Sequence, residues 1–286
     1  MIQASADQAT DPPLDAAFFR TLVDFASVEE RVRARLSLLG SGNDVLRFFV
    51  DYASWNGCFA NGVSALTAMV GNGRDLFQEP GFPRAVADRS NYVASFFFDA
   101  ARDEYDDHIN PLRDSHRCMA QASLICMKDF FGLGTESLEE DEPPELGAVN
   151  AGVLAGYTGK TSADPGRLAQ SFSAMGFHLG SELLADREFS LIDEYLRAQR
   201  SDLVQHLMRS TVKLAGAEHR CYAWVGVHSG HGGGVEADHF DHAAQGARHA
   251  LRYIAPESTS LAMDALVAGF RAFDRNHDLF FKIRGS

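Results

Sequence analysis

Basic residues are scarce in this chain: 26 Lys plus Arg stand against 39 Asp plus Glu, giving a formal charge of -13 and a sequence pI near 5.2. Such a balance repels a phosphate backbone, and no Lys/Arg run is interleaved with aromatics, so nucleic acid is excluded as the expected partner. No stretch of about 18 apolar residues runs uninterrupted, and the opening "MIQASADQATDPPLDAAFF" has no basic segment followed by an apolar one. No membrane partner is expected, and a cytoplasmic location is the simplest reading. Cysteine is equally sparse. Cys58, Cys118, Cys126 and Cys221 form no CxxC pair, which excludes a disulfide framework and a cysteine-bound structural zinc. Alternating strand patterns are nearly absent as well.

Apolar mass, by contrast, is plentiful. Hydrophobic residues make up 45% of the chain and Phe alone contributes 21, enough for a substantial core. Apolar positions recurring every three or four residues predict helices over 14–40, over 43–71 with Asn43 as cap and Gly71 as stop, over 84–108 after the Pro-containing linker "FQEPGFP", and over 112–134. Further helical stretches follow at 148–157, 164–216, 222–251 and 258–284. The expected architecture is all-α, with eight to ten helices and no internal repeat. It is read as one helical domain over 1–286, with 1–13 a flexible lead-in and 135–147 an acidic, solvated loop holding two prolines. The chain is expected to fold alone or as a homodimer.

The stretch "YAWVGVHSGHGGGVEADHFDHAAQGARHAL", residues 222–251, is unusual for a core helix because each buried polar group must find a partner or cost a few kcal/mol. Glu236 and His239 are three apart and share one side of a helix, the Glu-x-x-His arrangement that holds metal pairs inside bundles. His228 precedes His239 by close to three full turns and returns to that face if the helix is continuous. His231 reaches it only if Gly232, Gly233 and Gly234 widen a turn; those glycines equally suit close packing or a break between two helices. The bland alternative is a solvated Glu-x-x-His pair, with His242 and His249 on the surface or behind the site.

A second cluster lies in "FFFDAARDEYDDHINPLRDSHRCMAQASL". Glu104 ends an apolar-flanked helix and His116 begins the next, so a break at Pro111 lets them converge on one ion. His108 is the rival ligand, and Asp103, Asp106 and Asp107 read as a solvated face. The third cluster is Glu182 in "SAMGFHLGSELLADREF", flanked by small and apolar residues and aimed at something cationic or at the core edge. His178, one turn earlier, is a ligand, a donor behind one, or an ordinary core histidine. Glu188 is the rival carboxylate and reads as more exposed. Imidazole and carboxylate without thiolate favour iron or manganese over structural zinc, with open positions suited to oxygen chemistry. On the second helix, "ASWNGCFANG" places Trp55, Asn56, Cys58, Asn61 and Gly62 where they line a pocket or simply pack.

Together these segments resemble the haem-oxygenase-like di-iron oxidases and oxygenases. That family shows a "DE.GDG.....H" segment before an apolar helix ending in "LGL"; here "DEYDDHINPLRDSHRCMAQASLICMKDFFGLG" puts Glu104 and His116 in the ligand places. A small-residue run before a glutamate is matched by "MGFHLGSE" with Glu182. The last motif, a His, a carboxylate and a second His, is matched in "YAWVGVHSGHGGGVEADHF" by Glu236 and His239, with His228 or His231 as the earlier histidine. The spacing departs in two places: the gap from Glu104 to His116 is longer than usual, and Gly232 stands where the histidine is expected. The resemblance implies a haem-oxygenase-like bundle binding two Fe(II) per chain through Glu104, His116, Glu182, His228 or His231, Glu236 and His239. O2 would be the co-substrate for oxidising a small, amino-acid-like molecule by N-oxygenation, desaturation or oxidative C–C cleavage. Rival readings are a metal-free enzyme or binding protein of the same architecture, for which Cys58 and Tyr92 are the reactive candidates, a ferritin-like protein, which would need a second Glu-x-x-His, and a helical interaction protein.

Overall fold

A computed structural model describes residues 14–106, 114–139, 143–160, 166–229 and 235–283, apart from the side chains of 235–237. The described residues form twelve α-helices and one small hairpin: α1 (Ala16–Arg20), α2 (Phe25–Ser37), α3 (Gly42–Gly71), α4 (Arg84–Ala87), α5 (Ser90–Tyr105), α6 (His116–Phe130), α7 (Pro144–Tyr157), α8 (Gly166–Gln199), α9 (Ser201–Arg209), β1 (Thr211–Leu214), β2 (Ala217–Arg220), α10 (Ala223–His228), α11 (Val235–Arg252) and α12 (Thr259–Lys282). The all-α expectation holds.

The breaks differ from the sequence reading, and capping explains why. The first predicted helix is two, because the Asp24 carboxylate accepts from Ala26 N and Ser27 Oγ and starts α2 afresh. The second is capped by Ser41 rather than Asn43: Ser41 Oγ accepts from Asp44 N at 3.1 Å while the Asp44 carboxylate accepts from Ser41 N at 2.8 Å, a reciprocal box. The third splits at Asp88, whose side chain accepts from Ser90 N at 2.9 Å and opens α5. The acidic loop is shorter than 135–147: Thr135–Leu138 form a single 3₁₀ turn and α7 begins at Pro144, a residue suited to the first helical position.

The stretch 164–216 also departs from one helical run. After α8 and α9 it ends in a hairpin, with Thr211 paired to Arg220 and Leu214 to Ala217. Ala215 at φ 50 and Gly216 at φ 84 put both turn residues in the left-handed region, the twist that closes two-residue hairpins. The hairpin is pinned to the bundle by His219, whose Nδ1 is 2.5 Å from Asp114 Oδ1 and whose Nε2 is 3.1 Å from the Leu214 carbonyl. Asp114 lies two residues before His116, so this pair anchors the start of α6.

The long helix α8 runs through the core, with α2, α3, α7, α9, α10, α11 and α12 against it. Its buried residues are spread around the whole circumference, as expected of a helix enclosed by neighbours. The small residues before Glu182 serve this packing. A Cβ at Gly176 would collide with the Leu266 backbone, and one at Gly269 of α12 would collide with the Ser173 carbonyl. The two backbones touch there.

Candidate metal centre

Three described clusters meet beside the middle of α8. Glu104 comes from the last turn of α5, His116 from the first of α6, Glu182 from α8, His228 from the last turn of α10 and His239 from the start of α11. His116 Nδ1 stands 3.2 Å from Glu104 Oε2 and 3.3 Å from His228 Nε2. His239 Nδ1 is 3.6 Å from Glu182 Oε2, and its Nε2 is 2.8 Å from Asp103 Oδ2. The other oxygen of Glu182, Oε1, is 3.2 Å from His178 Nδ1. Glu104, Glu182 and His228 face a common cavity of about 30 Å³, walled by Asn56, Phe59, Ser181, Ala185, Glu188, Phe189 and Phe273.

The tautomer of His228 follows from its neighbours. Its Nδ1 lies 2.6 Å from the Trp224 carbonyl, an acceptor only, so Nδ1 carries the proton and Nε2 presents a lone pair to the site. The ring is 4% exposed and stacks on Phe189, centroids 4.4 Å apart with planes 18° from parallel. A backbone carbonyl holding the far nitrogen is how a metal-ligating imidazole is commonly oriented.

The donor set fits metal. Two donors bound side by side at about 2.0–2.2 Å from an ion stand roughly 3 Å apart, and the His116–Glu104 and His116–His228 separations of 3.2 and 3.3 Å are of that size. As the side chains stand they contact each other: among the described residues, no group of three or more His, Cys, Asp or Glu is arranged around one ion. Glu236 lies in the first turn of α11 with its side chain outside the described residues, and His231 and His108 lie outside them altogether.

Several sequence readings change. Asp103 is not part of a solvated face: it is half-buried and its carboxylate reaches His239 across the α5–α11 seam, while Asp107 lies outside the described residues. Glu188 is not the exposed rival of Glu182; it is 2% exposed. His228 and His239 do not sit on one continuous helix, since α10 ends at His228 and α11 begins at Val235. Of the pocket candidates on α3, Asn56 lines the cavity, whereas Trp55 donates to Asn276 Oδ1, Asn61 accepts from Tyr105 and Gly62 packs against the Tyr157 ring. Cys58 and Tyr92 do not line it; Cys58 donates to the Ser54 carbonyl and Tyr92 meets His249 on the surface.

Among solved structures, the chain is similar to a CadD-like protein of unknown function from Nostoc punctiforme PCC 73102. The TM-score is 0.58 at 14% identity, over 94% of this chain and 97% of that one. A likeness at this identity carries the fold alone. No family model and no curated protein matches the sequence. Among the described residues, no helix is long and apolar enough to cross a membrane.

Proposed function

We propose that the protein is a non-haem di-iron enzyme, an O2-dependent oxidase or oxygenase acting on a small, amino-acid-like molecule by N-oxygenation, desaturation or oxidative C–C cleavage. The observation that carries this reading is the contact of His116 with both Glu104 and His228, beside a cavity that Glu104, His228 and Glu182 face, with the His228 lone pair directed at His116. Glu104, His116 and His228 would hold one iron, and Glu182, His239 and Glu236 the other, with carboxylates offsetting the charge of both. Bound iron supplies O2 activation, chemistry that a thiolate-free set of imidazoles and carboxylates with open positions suits.

The remaining residues position and enclose. Asp103 holds the His239 ring, and the Trp224 carbonyl holds His228. Phe59, Phe189 and Phe273 keep bulk water from the carboxylates. A cavity of about 30 Å³ has room for one or two water-sized molecules, so it admits dioxygen or the reacting end of a substrate rather than a whole metabolite.

The test is an anaerobic Fe(II) titration of metal-stripped protein, followed by O2 addition under stopped-flow absorbance. About two irons per chain, lost in Glu104→Ala and His239→Ala, would support the reading. If iron does not bind, or binds unaffected by both substitutions, the cluster is a buried polar network of a metal-free protein.

A further inference from the structure

A third carboxylate, Glu188, stands on the cavity wall with Glu104 and Glu182, and two residues outside the proposed ligand set meet it there. Tyr52 of α3 donates its hydroxyl to Glu188 Oε1 at 2.5 Å. On α12, His277 Nε2 is 2.7 Å from Glu188 Oε2. All three are buried: Glu188 is 2% exposed, Tyr52 and His277 0%.

His277 is itself fixed from behind. Arg31 of α2 donates Nε–H to His277 Nδ1 at 2.9 Å, and its Nη2 is 2.6 Å from Asp274. A guanidinium keeps its protons at any ordinary pH. Nδ1 must therefore offer its lone pair, and the single proton of the neutral ring sits on Nε2, which lies 2.7 Å from Glu188 Oε2 without the geometry of a hydrogen bond. Burial, with the nearby Arg31 charge, keeps that ring neutral.

We propose that Glu188 is the cavity's proton acceptor and donor, with His277 and Arg31 as the positioning residues that fix it. The inference rests on the di-iron oxidase reading. Oxidation of a small molecule by dioxygen removes protons from the substrate, and reduction of the oxygen to water consumes them. In the first step the substrate N–H or O–H bond breaks and a new O–H bond forms on a Glu188 oxygen, giving the neutral acid while the electron pair stays with the substrate. In the second the acid returns that proton to a hydroxide derived from O2, yielding water and the carboxylate. Arg31 makes this a closed reservoir. A chain that relays protons needs each member to accept as well as donate, and Arg31 cannot accept, so a proton taken up by Glu188 does not leave through His277 but returns to the cavity.

Two measurements test this. In metal-free protein with ¹⁵N-labelled histidine, NMR should report His277 as the Nε2–H tautomer, altered in Arg31→Met and restored in Arg31→Lys; the Nδ1–H tautomer in the wild type would overturn the positioning role. In Fe(II)-loaded protein, infrared difference spectra after O2 addition should show a transient protonated carboxyl band that shifts in D2O. The band should vanish in Glu188→Gln, which keeps the wild-type iron stoichiometry, and shift in Tyr52→Phe. Loss of iron in Glu188→Gln would make Glu188 a ligand, and persistence of the band would assign the proton elsewhere; either overturns this role while leaving the oxidase reading intact. A wild type that binds no iron overturns both.

Discussion

His228 Nε2 lies 3.3 Å from His116 Nδ1, the ring centroids 4.5 Å apart, at the junction of α10 and α6. Because the proton of His228 is committed to the Trp224 carbonyl, only one positive centre belongs between the two nitrogens: a proton from His116, or a metal ion in its place. Removing the His228 ring should therefore weaken the iron on the Glu104 side selectively. We expect His228→Ala to lower that affinity on the order of 100-fold while the second iron still binds, a step visible in an anaerobic Fe(II) titration. Equal loss of both irons would show that the two sites do not divide as proposed.

Asp103 offers a separate test, because it reaches His239 from behind the proposed ligands. A carboxylate on the far nitrogen of a ligating imidazole fixes its ring and raises its basicity, and its loss commonly costs 10- to 100-fold in metal affinity. Asp103→Asn should show a loss of about that size with near-normal thermal stability. Asp106→Asn, beside it at the end of α5, should bind iron as the wild type does. If the two variants behave alike, Asp103 does not act through His239.

Much of the fold was legible because helical periodicity survives in long apolar stretches such as 43–71 and 258–284. Glu104 and His116 were legible too, being polar residues at the edges of such stretches. What escaped depends on contacts distant in sequence. Asp103 hides at the head of an acidic run, and nothing local marks that α11 packs over it. Glu188 hides beside Asp186 and Arg187, and Arg187 turns outward to Glu29. A cue was present in the spacing Leu184, Glu188, Leu191, Ile192, which puts the glutamate on an apolar stripe; all four are buried. The hairpin at 211–220 was missed because two four-residue strands carry little periodic signal, and of its two tip residues only Gly216 suits a turn with both residues at positive φ, Ala215 being an unusual occupant.

The glycines of α8 and α12 predict a stability effect free of any assumption about metal. At Gly176 an added methyl group would overlap the backbone of Leu266, and at Gly269 that of Ser173, so neither clash can be relieved by rotating a side chain. Gly176→Ala and Gly269→Ala should each destabilise by about 1–3 kcal/mol or more, even though alanine is the better helix former by about 1 kcal/mol. Urea unfolding midpoints measure this directly. A stabilised Gly176→Ala would mean that the helices do not cross so closely.

His277 predicts a pH dependence whose sign is fixed by its environment. Burial, then the charge of Arg31, holds its pKa well below the ordinary value, with Asp274 and Asp278 opposing. In the unfolded chain the same imidazole titrates near pH 6.5. Above about pH 6.5 both states hold it neutral, and its contribution to stability is fully present and flat. As the pH falls below that point the unfolded state takes up a proton the native state refuses, so stability drops by about 1.4 kcal/mol per pH unit from this group until the depressed folded pKa is reached. Replacing His277 by Asn should lower stability overall, yet make the slope between about pH 6.5 and 5 shallower by close to one proton. Urea titrations at a series of pH values in metal-free protein give that slope, and an unchanged slope would mean that His277 takes up its proton without unfolding.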